Sequence, residues 1–154
     1  MPNSPPATPP AERRALTVMF CDLVGSTALS ARLDPEDLRD LLAAYQRHVT
    51  AVVEAAGGRV ARYEGDGVLA YFGYPAASED DAESAVRAGL ELAARIRLGA
   101  DTEPLSVRIG IATGVVVVGE LMRSGVADNP PVVGETPNLA ARLQIGRASC
   151  RERV

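Results

Sequence analysis

Lysine is absent from this chain: all 16 basic residues are arginine. Any contact that needs a compact point charge on phosphate or base must therefore be made by a longer, planar guanidinium. Tryptophan is missing and aromatics make up only 4% of the residues, so a core has to be built from Leu, Val, Ile and Ala. His48 is the single histidine; it falls near the apolar stripe of a helix and reads as a packing or surface residue, not a catalytic one. Two cysteines, Cys21 and Cys150, make no disulfide framework, which fits a reducing cytoplasm. No apolar run approaches membrane-spanning length. The Pro-rich N-terminus lacks the basic-then-apolar pattern of a signal peptide, so no membrane partner is expected. Excess positive charge is lacking too: the net charge is −4 and the pI about 5.0, which argues against a nucleic-acid surface.

What is present is enough for one domain: 154 residues, 47% of them hydrophobic. Residues 1–12 hold five prolines in their first ten positions and read as a disordered leader. An apolar strand is predicted at about 15–22. Asp34-Pro35-Glu36-Asp37 then starts a helix, with an N-cap aspartate, proline at the first helical position and acids in the first turn. Leu38, Leu41, Leu42, Tyr45, Val49, Val52 and Val53 recur every three or four residues, so the helix runs to about 56 and stops at Gly57-Gly58. Strands at about 58–63 and 68–73 flank Gly65-Asp66-Gly67 as a hairpin. Ser78-Glu79-Asp80-Asp81 opens a further helix with a capping-box pattern, the acidic run being favoured by the helix dipole. Its predicted apolar face is Ala82, Val86, Leu90, Ala93 and Ile96. Leu105 to Ala112 and Val115 to Leu121 read as two strands of a second hairpin turning at Thr113-Gly114, and a last helix begins at Gly134-Glu135-Thr136-Pro137. The order β, α, β, β, α, β, β, α predicts an α/β sandwich of ferredoxin-like, palm type: a mainly antiparallel sheet with helices packed on it. Residues 145–154 have neither helical nor strand periodicity; they read as a non-native tail like a translated sequencing adapter, leaving 13–144 as a truncated domain.

Two acidic residues stand at the tips of these local structures. Asp22 ends the strand Leu16-Thr17-Val18-Met19-Phe20-Cys21-Asp22, and Asp66 sits in the Gly-Asp-Gly turn. Two carboxylates on adjacent strand ends suit a pair of hard divalent cations, and such a pair suits in-line chemistry on a nucleoside triphosphate. Each also has an ordinary structural reading, Asp22 as a strand-end cap and Asp66 as a hairpin turn residue. Cys21 alternates with Asp22 along the strand and is expected in the core.

Four segments taken together resemble the catalytic domain of class III adenylate/guanylate cyclases. They are Phe20-Cys21-Asp22-Leu23-Val24-Gly25-Ser26-Thr27, Gly65-Asp66-Gly67, Arg108-Ile109-Gly110-Ile111-Ala112-Thr113-Gly114, and the run from Val133 to Leu143. The match extends from about Arg14 to Gln144 in family order, which is far more specific than one short pattern. It is similar to bacterial cyclase domains at the N-terminus of longer regulatory proteins.

The resemblance implies an enzyme that converts ATP to cyclic AMP and pyrophosphate, with two Mg²⁺ or Mn²⁺ ions per site. Asp22 and Asp66 would be the metal-binding aspartates, helped by the Leu23 carbonyl. Gly25, Ser26 and Thr27 would present backbone N–H groups to the phosphates. Asn138 and Arg142, four apart on one helix face, would orient the ribose and stabilise charge on the phosphorus, where an ever-charged, forked arginine is well suited. In the family these two groups come from different subunits, which implies a homodimer with active sites at its interface. Arg62 stands where adenylate cyclases usually carry a base-reading lysine, and Pro131 where a base-selecting Asp or Thr is expected. At 131 base discrimination would then be left to a backbone carbonyl. The family's triphosphate-binding lysine would lie beyond Gln144. Two rival readings remain open on the residues: a guanylate cyclase, or a catalytically inactive cyclase-like dimerisation or nucleotide-sensing module. A diguanylate cyclase fits less well, since the turn reads Glu64-Gly65-Asp66-Gly67-Val68.

Overall fold

β1 (Arg13–Leu23) is the strand around which the molecule is organised. The computed structural model describes residues 13–74, 76–94, 96 and 105–117. β1 pairs antiparallel on one side with β3 (Gly67–Phe72) and on the other with β4 (Val107–Val117). β2 (Arg59–Glu64) adds outside β3, giving the sheet order β2-β3-β1-β4. α1 (Ser26–Arg32), α2 (Pro35–Ala55) and α3 (Asp81–Ala93) complete the described elements. This is the expected α/β architecture with an antiparallel sheet.

Strand alternation sorts β1 onto two faces. Met19, Cys21 and Leu23 point toward the helices and join Tyr45, Val49 and Val53 of α2, Ala85, Ala88 and Leu92 of α3, and Val68, Ala70 and Phe72 of β3 in the main core. Leu16 and Val18 point to the opposite face, where they cluster with Leu69, Tyr71, Ala112 and Val116. Phe20 is packed against that second cluster, and Asp22 follows in the same alternation. With apolar residues on both faces, Leu16 to Met19 form a continuous buried run. Each fully buried side chain of this kind contributes roughly 1.5–3 kcal/mol, so β1 anchors both layers.

α2 forms as its sequence dictates. Pro35 occupies the first turn, and the Asp34 carbonyl accepts the Leu38 N–H at 2.9 Å, although the Asp34 side chain makes no capping bond. At the other end Gly57 adopts φ 86, its N–H reaches the Glu54 carbonyl at 3.0 Å, and the Gly58 N–H reaches the Val53 carbonyl at 2.9 Å. That pair of bonds is a Schellman stop. Gly58 must stay small, since a Cβ there would lie 2.6 Å from the Phe72 ring.

Two expectations are corrected. Thr113 and Gly114 do not turn; β4 runs through them and pairs with β1 from Arg13↔Val117 to Leu23↔Val107. The two threonines facing each other across the ladder, Thr17 and Thr113, join their Oγ1 atoms at 2.8 Å. An eleven-residue partner thus rewards continuity where the local Thr-Gly signal suggested a hairpin. The face of α3 is also rotated. Val86 and Leu90 are 47% and 68% exposed, Ala82 and Ala93 are exposed, and the buried set is Ala85, Ala88, Gly89 and Leu92. Small residues let α3 approach the sheet closely: a Cβ on Gly89 would stand 3.2 Å from Ile111 Cδ1. Ile96 lies past the helix and is buried in a two-way backbone bridge with Leu105. The leader 1–12, the helix expected from Gly134 and the tail 145–154 lie outside the described residues.

Candidate active site

The register places the acidic residues at one end of the sheet. Asp22, one residue from the end of β1, faces Gly67 across the β1–β3 ladder and Arg108 across the β1–β4 ladder. Gly67 in turn faces Glu64 on β2. One row across the sheet therefore reads Glu64, Gly67, Asp22, Arg108. Asp66 immediately precedes Gly67, in the two-residue loop Gly65-Asp66 between the paired Glu64 and Gly67. Gly65 has φ 57 and among the described residues no non-glycine has positive φ, so glycine at the first loop position gives the type II′ pattern. The loop is tied back to α2 by Gln46 Nε2, which donates to the Gly65 carbonyl at 3.3 Å.

Gly67 keeps the space beside Asp22 low. A Cβ there would meet the Glu64 carbonyl at 3.1 Å and the Phe20 ring at 3.2 Å. Asp22 and Asp66 are both half-buried, and Asp22 Oδ1 is shielded from solvent. Behind them, Tyr45 of α2 meets Cys21 in the core, Oη to Sγ 3.2 Å. Burial pushes the Tyr45 hydroxyl well above the usual phenol range, Cys21 adds to this, and the charges of both Asp22 and Asp66 raise it further. Asp22 and the loop that carries Asp66 therefore lie at the same end of the sheet as this buried phenol.

After Leu23 the chain turns at Gly25, left-handed at φ 75, and enters α1 at Ser26. The Val24 N–H is bonded to the Ser106 carbonyl at 2.9 Å, and the Gly25 carbonyl accepts the Leu29 N–H at 3.1 Å. Gly25, Ser26 and Thr27 therefore follow directly on Asp22 and Leu23, and a first helical turn leaves N–H groups without intrahelical partners.

Arg62 lies on the Asp22 face of the sheet, opposite Leu69 on β3. Its Nη2 pairs with Glu64 Oε1 at 2.8 Å, and its side chain is 12% exposed. A bulge in β2 between Val60 and Arg62 brings about this orientation. Val60 packs on the helix side, and the inserted residue lets Arg62 and Glu64 share the face opposite the helices. Tyr63 takes the helix side, where its hydroxyl meets Thr50 Oγ1 of α2 at 2.5 Å. Glu64 and Arg108 were not singled out as site residues by sequence reasoning. The signal for Glu64 was its period-2 spacing from Arg62; that for Arg108 exists only in the register with Asp22.

Pro131, Asn138 and Arg142 lie outside the described residues. Among the described residues no group of three or more His, Cys, Asp or Glu side chains is placed to hold a metal. Of the residues expected to bind metal, Asp22 and Leu23 close β1 and Asp66 lies in the β2–β3 loop. No helix among the described residues is long and apolar enough to cross a membrane.

An adenylate cyclase of Streptomyces coelicolor is 38% identical over 130 residues, covering 84% of this chain and 29% of that protein. The crystal structure of the guanylyl cyclase Cya2 aligns with a TM-score of 0.72 at 32% identity, covering 88% of this chain and 72% of that one. The adenylyl cyclase CyaB from P. aeruginosa aligns with a TM-score of 0.72 at 30% identity, covering 88% and 74%. The chain spans less than a third of the length of the first curated relatives it matches, 13% in one and 29% in the Streptomyces coelicolor adenylate cyclase. The family model for the adenylate and guanylate cyclase catalytic domain matches residues 9–149, and the chain belongs to that family.

Proposed function

We propose that this chain is the catalytic core of a cytoplasmic nucleotidyl cyclase, active as a homodimer, with ATP as its principal substrate and cyclic AMP and pyrophosphate as products. Membership of a family of lyases sets the reaction class. The observation that carries the reading is that the Asp22↔Gly67 register sets Asp22 and the loop bearing Asp66 at one end of the sheet. The donor set suits Mg²⁺ or Mn²⁺: these are hard ions, and Mg²⁺ is ordinarily held by one or two carboxylates, with water and phosphate oxygens for the rest. When bound, the ions would acidify the ribose 3′-hydroxyl and neutralise charge on the triphosphate.

The chain's own groups have distinct tasks. Asp22, Asp66 and the Leu23 carbonyl would hold the metals. Backbone N–H groups at Gly25, Ser26 and Thr27 face the phosphates, where a helix start favours negative charge. Arg62 contacts the base, with Pro131 offering it a backbone carbonyl. Asn138 and Arg142 of the second subunit orient the ribose and stabilise charge on the α-phosphorus. The 3′-oxygen forms a bond to that phosphorus, the bond to the pyrophosphate oxygen breaks in line, and one proton is released. Adenylate cyclases among the relatives support ATP as the substrate. The similarity to a guanylyl cyclase supports GTP as the competing one.

Incubating the protein with ATP or GTP and Mg²⁺ or Mn²⁺, and measuring cyclic nucleotide, tests the reading. Cyclic AMP is expected, and Asp22→Asn or Asp66→Asn should each reduce kcat by at least about 10²–10³-fold, the scale of losing one electrostatic stabiliser of a transition state. A folded dimer that makes neither cyclic nucleotide would sink the proposal and favour the nucleotide-sensing module.

A further inference from the structure

Glu64 and Arg62 share one side of β2, and together they present more hydrogen-bonding capacity than they use. Arg62 is an almost buried cation, held among the described residues by one ion pair, Nη2 to Glu64 Oε1 at 2.8 Å. Its Nε and Nη1 are buried with no hydrogen-bond partner among the described residues. Buried guanidinium donors left unmade are costly, so a group with two of them is poised for an acceptor that arrives with a ligand. Glu64 is more open, at 35% exposure, and its carboxylate has acceptor capacity beyond the one bond to Arg62.

The pair also sits at the right remove from the acidic end. Arg62 is two strands and two residues from Asp22 on the same face, which sheet geometry converts to about 12 Å between the Cα atoms. A nucleotide with its phosphates near Asp22 would bring the edge of its base to this pair.

We infer that Glu64 is a base-selecting residue: it fixes the Arg62 guanidinium and supplies the acceptor that admits guanine beside adenine. The inference rests on the cyclase reading above and deepens it. Purine edges differ in what they ask of a donor–acceptor pair. Adenine offers an acceptor, N1, beside the N6 amino donor. Guanine offers an acceptor, O6, beside two donors, N1–H and the N2 amino group. Arg62 serves the acceptor of either base. A carboxylate can take both guanine donors, so Glu64 contributes more to guanine than to adenine. Glutamine at this position keeps one acceptor but turns an amino group toward guanine's donors, and it loosens Arg62.

The test compares kcat/KM for ATP and GTP in the full chain and in Glu64→Gln. The ATP:GTP ratio should rise roughly tenfold in the variant, the size expected for losing one bidentate base contact. A general loss of folded protein lowers both activities together and leaves the ratio unmoved. Binding of 3′-deoxy ATP and 3′-deoxy GTP, which cannot cyclise, gives the same ratio by calorimetry without turnover. A protein that cyclises, with a ratio unmoved by Glu64→Gln, overturns this inference and leaves the cyclase reading standing. A protein that binds both analogues but cyclises neither triphosphate overturns the cyclase reading, and the binding ratio alone then decides on Glu64. Binding of neither analogue overturns both.

Discussion

Cys21 shows what one step along a strand does to chemistry. Its neighbour Asp22 follows on the opposite face of the sheet, while its own thiol is fully buried against the Tyr45 hydroxyl. Burial pushes the thiol from 9.0 up to about 12, the hydrogen bond from Tyr45 opposing and the charge of Asp22 adding. The same burial raises Tyr45. Both groups stay protonated in the folded state at pH values where the unfolded chain ionises. The contribution of Cys21 is therefore complete below pH 9.0 and is lost as pH rises from there through about 12, and Tyr45 adds to the fall only above its ordinary value of 10.0. Denaturation midpoints measured across this window should fall, with a slope of up to about 1.4 kcal/mol per pH unit for each fully titrating group. Cys21→Ala should flatten the first part of that fall; an identical pH profile would refute the assignment. The core position of Cys21 was legible from alternation alone. That Tyr45 would be the residue behind both aspartates was not, because it depends on where α2 crosses the sheet.

At the scale of the element, α2 and α3 differ in how openly they declare their buried face. α2 carries large residues on one stripe, and Tyr45, Val49, Val52 and Val53 are buried as expected. Its start at Pro35 and stop at Gly57 follow from local chemistry, so they could be read directly. α3 has two apolar stripes, and the bulkier one faces out. A pattern of hydrophobicity favours Val86 and Leu90, whereas the sheet selects Ala85, Ala88 and Gly89 because they allow close approach. Leu90→Lys should therefore change stability by no more than about 0.5 kcal/mol, as at other exposed sites. Leu92→Ala, two residues on, should cost about 2–5 kcal/mol for the cavity it leaves. Chemical denaturation of the two variants checks the rotation of the helix, and the reverse ranking would restore the stripe expected from the pattern. β4 teaches the same lesson: Thr113-Gly114 is a turn signal taken alone, but eleven cross-strand pairs with β1 outweigh it.

For the whole molecule, the proposed dimer divides one site between two chains, Asp22 and Asp66 from one and Asn138 and Arg142 from the other. A symmetric pair then has two equivalent sites, and complementation follows from the symmetry. An Asp22→Asn protein mixed with an equal amount of an Arg142→Ala protein should recover about one quarter of wild-type activity, since half of randomly paired dimers carry one intact site of two. No recovery after subunit exchange, with heterodimers demonstrated, would place all four residues in a single chain.

The amino-acid sequence by itself determined the strand leading to Asp22, the hairpin around Asp66 and the limits of α2. Each depends on neighbours a few residues away: apolar alternation, a glycine free to take positive φ, a proline and an aspartate at a helix start. Tertiary structure decided the rest. The pairing of β1 with both β3 and β4, the face of α3, the burial of Arg62 beside Glu64 and the placing of Arg108 opposite Asp22 all need segments distant in sequence to meet. Packing density and strand register set those meetings, and neither is written in the local pattern.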